Sequence, residues 1–251
     1  MATQLHLAHS ASIDGLVSIG GGPYACALGN AERARTQCLQ GPSFDLTKLR
    51  HVARDAAAVG NIDTLNHVAT DRVFVAEAES GMPDARVSFA VTRFYEELLD
   101  NGELEFQELP EGSDVDRLTA GLAFIHQSEP RLPTTEGHGA LRSMEYSVDK
   151  QSSLPGTASI YEPVYCLSNP CDVHLHFTAC DAPNALGDNY QSLHKFADSR
   201  SLLIVYPDAA TNADLFACWD WWGTTTNNYA DKNAPQIKAA MSLVKTVLNS
   251  N

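Results

Sequence analysis

The stretch RVFVAEAESGMPDARVSFAVTRFYEELLDNGELEFQEL, residues 72–109, reads as strand, helix, strand. Residues 72–76 are a short run of β-branched and aromatic side chains, the composition of a buried strand. Val87, Val91, Phe94 and Leu98 then recur at helical spacing and mark one apolar face. The dipeptide Asn101-Gly102 stops that helix, and residues 103–109 alternate as a second strand. Two strands joined through a helix pair in parallel, so this unit predicts an α/β fold.

The alternation extends in both directions. GLVSI (15–19) reads as a strand ending in the turn GGGP, and residues 44–58 read as a helix with Leu46, Leu49, Val52 and Ala53 on one side and Gly60 just past the end. Residues 115–126 are again helical. The text then turns polar, and 127–157 reads as a long surface connection. Residues 172–177 and 202–207 are strand-like around a helix at 187–198; the continuous apolar run LLIVYP suits a strand covered on both faces. Asn233 and Pro235 open a last helix with Ile237, Ala240, Met241, Val244 and Leu248 as its buried stripe. We therefore expect a mostly parallel sheet flanked by helices in a single domain over 1–251.

With 31 acidic against 17 basic residues, the formal net charge of -14 argues against nucleic acid or an anionic membrane as partner. No apolar run of about 18 residues is present to span a bilayer. The first ten residues lack the basic and apolar regions of a signal peptide. The six cysteines are clustered: Cys26 and Cys38 flank a polar helix-like stretch, Cys166 and Cys171 flank the loop LSNP, and Cys180 and Cys218 each follow a strand-like run. No CxxC pair favours a metal, and disulfides suit an oxidising compartment.

All three tryptophans fall in ACWDWWG (217–223), as Trp219, Trp221 and Trp222. Such a cluster is either core packing or an aromatic wall beside a cleft. Here the sequence resembles the circularly permuted extracellular poly(3-hydroxybutyrate) depolymerases and related esterases. The blocks that carry the likeness are MATQLHLAHS…GLVSIGGGPYAC, DRVFVA…VTRFYEEL, IYEPVYCLSNPCDVHLHFTAC, HKFADSRSLLIVYPDA, CWDWWG and APQIKAAM, in the family's order. The resemblance implies an α/β-hydrolase-like fold in permuted order, action on short hydroxyalkanoate polyesters or small esters, no cofactor, and an extracellular or periplasmic site of action. It implies the disulfides Cys26–Cys38, Cys166–Cys171 and Cys180–Cys218, and a cleft lined by Trp219, Trp221 and Trp222.

The family attacks its ester with a serine in a G-x-S-x-G elbow, assisted by histidine and aspartate, with backbone N–H groups as oxyanion hole. The elbow should immediately precede the helix that starts at Met1, so the serine and its strand are expected upstream of the given chain. The aspartate slot, G-T-x-D in the family, reads EAESG and falls near Gly81, with Glu79 and Asp84 as displaced acids. The histidine slot reads PEGSDVDR and falls near Asp114. The oxyanion strand retains Cys180, but Thr178 and Ala179 replace the family's H-G.

A nucleophile and its base act as a unit worth about 10⁶-fold in rate, whereas one oxyanion donor contributes about 10²–10³. With no triad residue matched, impaired or absent hydrolysis is expected. The alternative function is a non-catalytic polyester- or partner-binding pseudoenzyme. His138, in EGHG, is a displaced base candidate; His174 and His176 share a strand face without a third metal ligand in spacing; the glycines of GGGPY match no phosphate loop.

Overall fold

The computed structural model describes residues 1–41, 44–108, 112–127, 138–180, 190–209 and 218–250. The chain divides into two compact units, Met1–Ile125 with Asp220–Ile237, and His126–Trp219 with Lys238–Asn251.

The first unit holds a parallel sheet in the order β1 (Gly15–Ile19), β2 (Arg72–Ala76), β3 (Glu103–Gln107), with Gly15 opposite Arg72 and Arg72 opposite Glu103. β2 is central, and Val73, Phe74, Val75 and Ala76 are wholly enclosed, as its unbroken apolar text requires. α1 (Ala2–Ala8) packs on β1, α4 (Ala85–Tyr95) on β2 and β3, and α5 (Asp114–Ile125) on β1 and β2. Between them lie α2 (Ala31–Arg33), a π-helical turn at Ala34–Cys38, and α3 (Leu46–Ala58), which packs against α4. α3 starts after Asp45 because that carboxylate accepts from Lys48 N at 2.9 Å and caps the helix. Gly121 lets α5 approach the sheet: a Cβ there would lie 2.7 Å from both Phe74 and Val17. Buried His6 ties three elements together, with Nδ1 2.8 Å from the Tyr95 hydroxyl and Nε2 3.0 Å from Asp71.

The second unit holds a mixed sheet in the order β4 (Ala140–Glu145), β5 (Thr157–Glu162), β7 (Leu202–Pro207), β6 (Asp172–Leu175). β6 and β7 are parallel, while β4–β5 and β5–β7 are antiparallel. Every residue of β7 except Pro207 belongs to the buried apolar core, and α6 (Gln191–Arg200) packs on it. α7 (Pro235–Ser250) closes the chain.

The α/β class and the strands at 15–19, 72–76 and 202–207 are as expected. Four details differ. The sheet is in two pieces among the described residues, and two of its five pairings are antiparallel. The predicted connection at 127–157 contains β4, an edge strand with Ala140, Leu141, Ser143 and Glu145 unburied or exposed; lacking a buried face, it has no apolar alternation to betray it. Residues 128–137 of that stretch, 109 of the third strand and 187–189 of the predicted helix lie outside the described residues. In α7 the buried positions include Leu243 and Val247, and Leu248 is 54% exposed, so the stripe is rotated from the one expected.

Candidate functional site

At the carboxyl ends of β2 and β3, where α/β folds present their chemistry, the first unit brings the backbone of Glu79, a displaced acid candidate, to Asp114, near which the histidine slot is expected. Glu79 N–H donates to Asp114 Oδ1 at 2.8 Å, and the same oxygen accepts from Arg117 Nη1 at 2.9 Å. Arg117 is buried at the first turn of α5, where the acidic Asp114 and Asp116 also suit the positive end of the helix. Asp116 is held low in pKa by the backbone and hydroxyl of Ser113. The corner is therefore an ion-paired carboxylate clamp. Among the described residues, none of those that build this corner is a histidine that could take a proton.

Gly81 is exposed at φ +67°, with nothing within 4 Å of a built Cβ. That left-handed backbone favours glycine, which has no Cβ to clash. Asp84 is the N-cap of α4: it accepts from Arg86 N at 3.0 Å and from Arg86 Nε at 2.7 Å. The Arg86 side-chain hydrogen bond pulls its carboxyl down to about 2. Fully ionised and already paired, Asp84 is a poor proton acceptor.

The second unit gives His138 a partner that the sequence did not signal. His138 Nδ1 lies 3.3 Å from Asp198 Oδ2, on α6, sixty residues away. Tyr161 hydroxyl donates to the same oxygen at 2.9 Å, and Gly139 N–H donates to Oδ1 at 3.1 Å. Asp198 is thus fixed by two other donors while the imidazole side chain is 81% exposed. A carboxylate that orients an imidazole is two-thirds of a triad geometry. His194 stacks on Tyr161 at 3.9 Å and meets the Tyr206 hydroxyl at 3.2 Å.

His174 and His176 have ring centroids 5.9 Å apart. Burial pulls His174 down to about 3 and His176 to about 4, so both are neutral at ordinary pH. His176 is engaged by the Tyr190 hydroxyl at 3.3 Å. Among the described residues no set of three His, Cys, Asp or Glu side chains is arranged to hold a metal ion.

The three cysteine pairs are Cys26–Cys38, Cys166–Cys171 and Cys180–Cys218. Cys180 follows the carboxyl end of β6 and is exposed. The tryptophans do not form a single wall. Trp219 is 3% exposed and packs edge-on against Phe177 at 4.8 Å, a core position that leaves no face for a ligand. Trp221 and Trp222 are half-buried and meet edge-to-face at 5.0 Å. What orders them is Asp220, which sequence reasoning missed. Its carboxylate is 1% exposed and accepts from the N–H groups of Gly223, Thr224 and Thr225 at 2.8, 2.8 and 2.7 Å, and from the Thr225 hydroxyl. Its own N–H donates to buried Gln236 Oε1 at 2.7 Å. Gly223 completes the turn at φ +95°, where a Cβ would come 2.9 Å from Gly29 Cα.

No family model matches the chain. A poly(3-hydroxybutyrate) depolymerase from Delftia acidovorans is 24% identical over 290 residues, covering 98% of this chain and 57% of that protein. The chain thus spans a little over half the length of this relative. Among solved structures, the PHB depolymerase from Penicillium funiculosum superposes with a TM-score of 0.80 at 17% identity, over 98% of this chain and 91% of that one. A PHB depolymerase complexed with an R3HB trimer gives 0.79 at 18% identity, over 99% and 92%. The chain resembles the PHB depolymerases, and its fold is their α/β fold.

Proposed function

We propose that this chain is a PHB depolymerase-like protein in which ester hydrolysis is impaired, and that it retains binding of short hydroxyalkanoate polyesters or small esters. The observation that carries the reading is the corner built by Glu79, Asp114 and Arg117. Glu79 N–H and Arg117 hold Asp114 there as an ion-paired carboxylate, and Gly81, near the proposed acid slot, has no side chain to supply. Proton transfer from a serine needs an unprotonated base of matched pKa near it, and Asp114 is tied to a buried guanidinium. The two units are proposed to correspond to one α/β-hydrolase-like domain. Full-length superposition supports this. The three disulfides support an oxidising, extracellular or periplasmic setting.

Trp221 and Trp222 are the proposed polyester contact, because rigid aromatic surface binds apolar chain at low entropic cost. Cys180 is the proposed remnant of the oxyanion hole. The test pairs two assays on the same protein: turnover of p-nitrophenyl butyrate, and co-sedimentation with polyhydroxybutyrate granules for the native chain and for Trp221→Ala and Trp222→Ala. Background turnover with retention that both substitutions weaken supports the reading. Granule binding indifferent to both substitutions refutes the tryptophan contact.

A second reading rests on the His138–Asp198 pair. An oriented imidazole can activate water toward an activated ester without a serine. Residual turnover that vanishes in His138→Ala and falls in Asp198→Asn supports it, and turnover untouched by either excludes it.

A further inference from the structure

One face of the second unit's sheet carries a row of tyrosines, each matched to a base. Tyr161 on β5 stands opposite Ile204, and Tyr206 lies two residues further along β7, so the two share a face. α6 packs on β7 and carries His194 and Asp198, four residues apart and so on one side of the helix. Tyr190, the residue before α6, completes the row, and its ring meets that of Tyr206 edge-on at 5.7 Å. The Tyr161 hydroxyl donates to Asp198 Oδ2 at 2.9 Å. The Tyr206 hydroxyl lies 3.2 Å from His194 Nε2, and the Tyr190 hydroxyl 3.3 Å from His176 Nε2.

Packing alone does not call for this pairing. Tyr146, buried in the same unit, has its hydroxyl enclosed without a hydrogen-bond partner. Tyr95 in the first unit is paired with His6, but among the described residues its ring meets no second tyrosine. In the second unit the paired rings are also neighbours. His194 stacks flat on Tyr161 at 3.9 Å and stands 6.2 Å from Tyr206, and His176 lies 5.4 Å from Tyr206 and 5.7 Å from Tyr190. Burial pulls His176 down to about 4 and His194 below its ordinary value, so both imidazoles are neutral at ordinary pH. With the proton on Nδ1, each accepts at Nε2 from its phenol. Burial raises Tyr161 and Tyr206, so these phenols keep their protons.

We propose that this row is a redox-active tyrosine relay, which takes one oxidising equivalent from a one-electron oxidant of the peroxyl- or carbonate-radical class and shares it among three phenols. In the first step a phenol O–H bond breaks. The electron reduces the oxidant by one, the proton moves to the paired carboxylate or imidazole, and a neutral phenoxyl radical remains. A neighbouring tyrosine then fills that hole: its electron goes to the radical and its proton to its own base, while the first base returns its proton. An outside one-electron reductant, of the thiol or enediol class, restores the last phenol with an electron and a proton. Within the chain no thiol competes, because all six cysteines are in disulfides. The relay depends on neither ester hydrolysis nor polyester binding.

The test is rapid-freeze electron paramagnetic resonance of the native chain after photochemical oxidation by tris(bipyridine)ruthenium(III) generated with persulfate. The expected signal is a tyrosyl radical. Tyr206→Phe keeps the ring but removes the central member, and lowers the radical yield roughly twofold or more, since members of a network do not act independently. If all 8 tyrosines of the chain oxidised alike, the loss would be one eighth. His194→Phe keeps a ring on Tyr161 but removes the base of Tyr206, and lowers the yield as far. Tyr146→Phe, whose hydroxyl has no partner to lose, leaves it unchanged. Near-UV circular dichroism checks that each variant is folded, and Tyr190→Phe replaces any that is not. A signal confined to tryptophan, a yield in Tyr206→Phe equal to that in Tyr146→Phe, or a native yield in folded His194→Phe overturns the proposal.

Discussion

Replacing Asp220 by alanine removes one carboxylate that accepts four hydrogen bonds from inside the protein. Because the residue is 1% exposed, water does not replace those acceptors. Each stranded donor costs about 1–3 kcal/mol, but neighbours relax together and the terms do not add. A loss of about 3–5 kcal/mol is the reasonable total, the range seen when a buried charged group is removed from its partners. Asp220→Asn keeps the shape and part of the acceptor set, so about 1–3 kcal/mol is expected there. The assay is urea unfolding followed by tryptophan fluorescence. It is well placed, since every tryptophan of the chain lies within residues 219–222. Asp220→Ala is expected to lower the midpoint and to red-shift native emission as the turn opens around Trp221 and Trp222. A midpoint shift worth less than about 0.5 kcal/mol, the size of an ordinary surface substitution, with unchanged emission would refute the assignment of Asp220 as the organiser of this turn.

Other outcomes are equally specific. His174 and His176 have folded pKa values below the unfolded value of 6.5, so the unfolded chain binds protons first and stability is lost as pH falls through 6.5 toward 4. At pH 4.5 each contributes about 2–3 kcal/mol of loss relative to pH 7, and the drop in urea midpoint should be smaller in His176→Asn; an equal drop in both proteins argues against it. Asp198→Ala should cost about 1–3 kcal/mol by stranding the Tyr161 hydroxyl and Gly139 N–H, whereas His138→Ala, at an exposed position, should stay within about 0.5 kcal/mol. Replacing both Cys180 and Cys218 by serine opens a loop of 38 residues' separation, worth about 4 kcal/mol by chain entropy, against about 2 kcal/mol for Cys166 and Cys171 at a separation of 5. Thermal denaturation of the two double variants should rank them in that order. Gly121→Val should destabilise by about 1–3 kcal/mol through overpacking against Phe74 and Val17, and a neutral result would mean α5 can move off the sheet.

The parts of this fold legible in the sequence are those where one face is buried and the text must be periodic or continuously apolar. β2 and β7 could be placed to the residue because positions 73–76 and 202–207 are all buried. β4 could not, because an exposed edge strand has no hydrophobic constraint on its residues, and its polar text reads as a connection. The same limit explains α7. Spacing at i, i+3 and i+4 identifies an amphipathic helix, but it leaves the exact face undetermined when alanine and valine occur all round, and the structure selects Leu243 and Val247 over Leu248. At the candidate site, the slots expected near Gly81 and Asp114 rest on the family resemblance, since no local pattern marks either residue. The groups that decide what those slots can do were not legible. Arg117, Asp198 and Asp220 act through contacts formed by folding, and a lone acid or base on a helix or in a turn carries no mark of its partner. Trp219 shows the converse: composition grouped three tryptophans, but burial separates one of them from any ligand.

The most direct test of the central claim is the initial rate of p-nitrophenyl butyrate hydrolysis by the purified native chain, taken from pH 6 to 9. On the proposed assignment of the acid and base slots to Gly81 and Asp114, the expected result is a rate no higher than the free-imidazole background and no saturation with ester. A saturable, enzyme-concentration-dependent rate that persists in His138→Ala would contradict it.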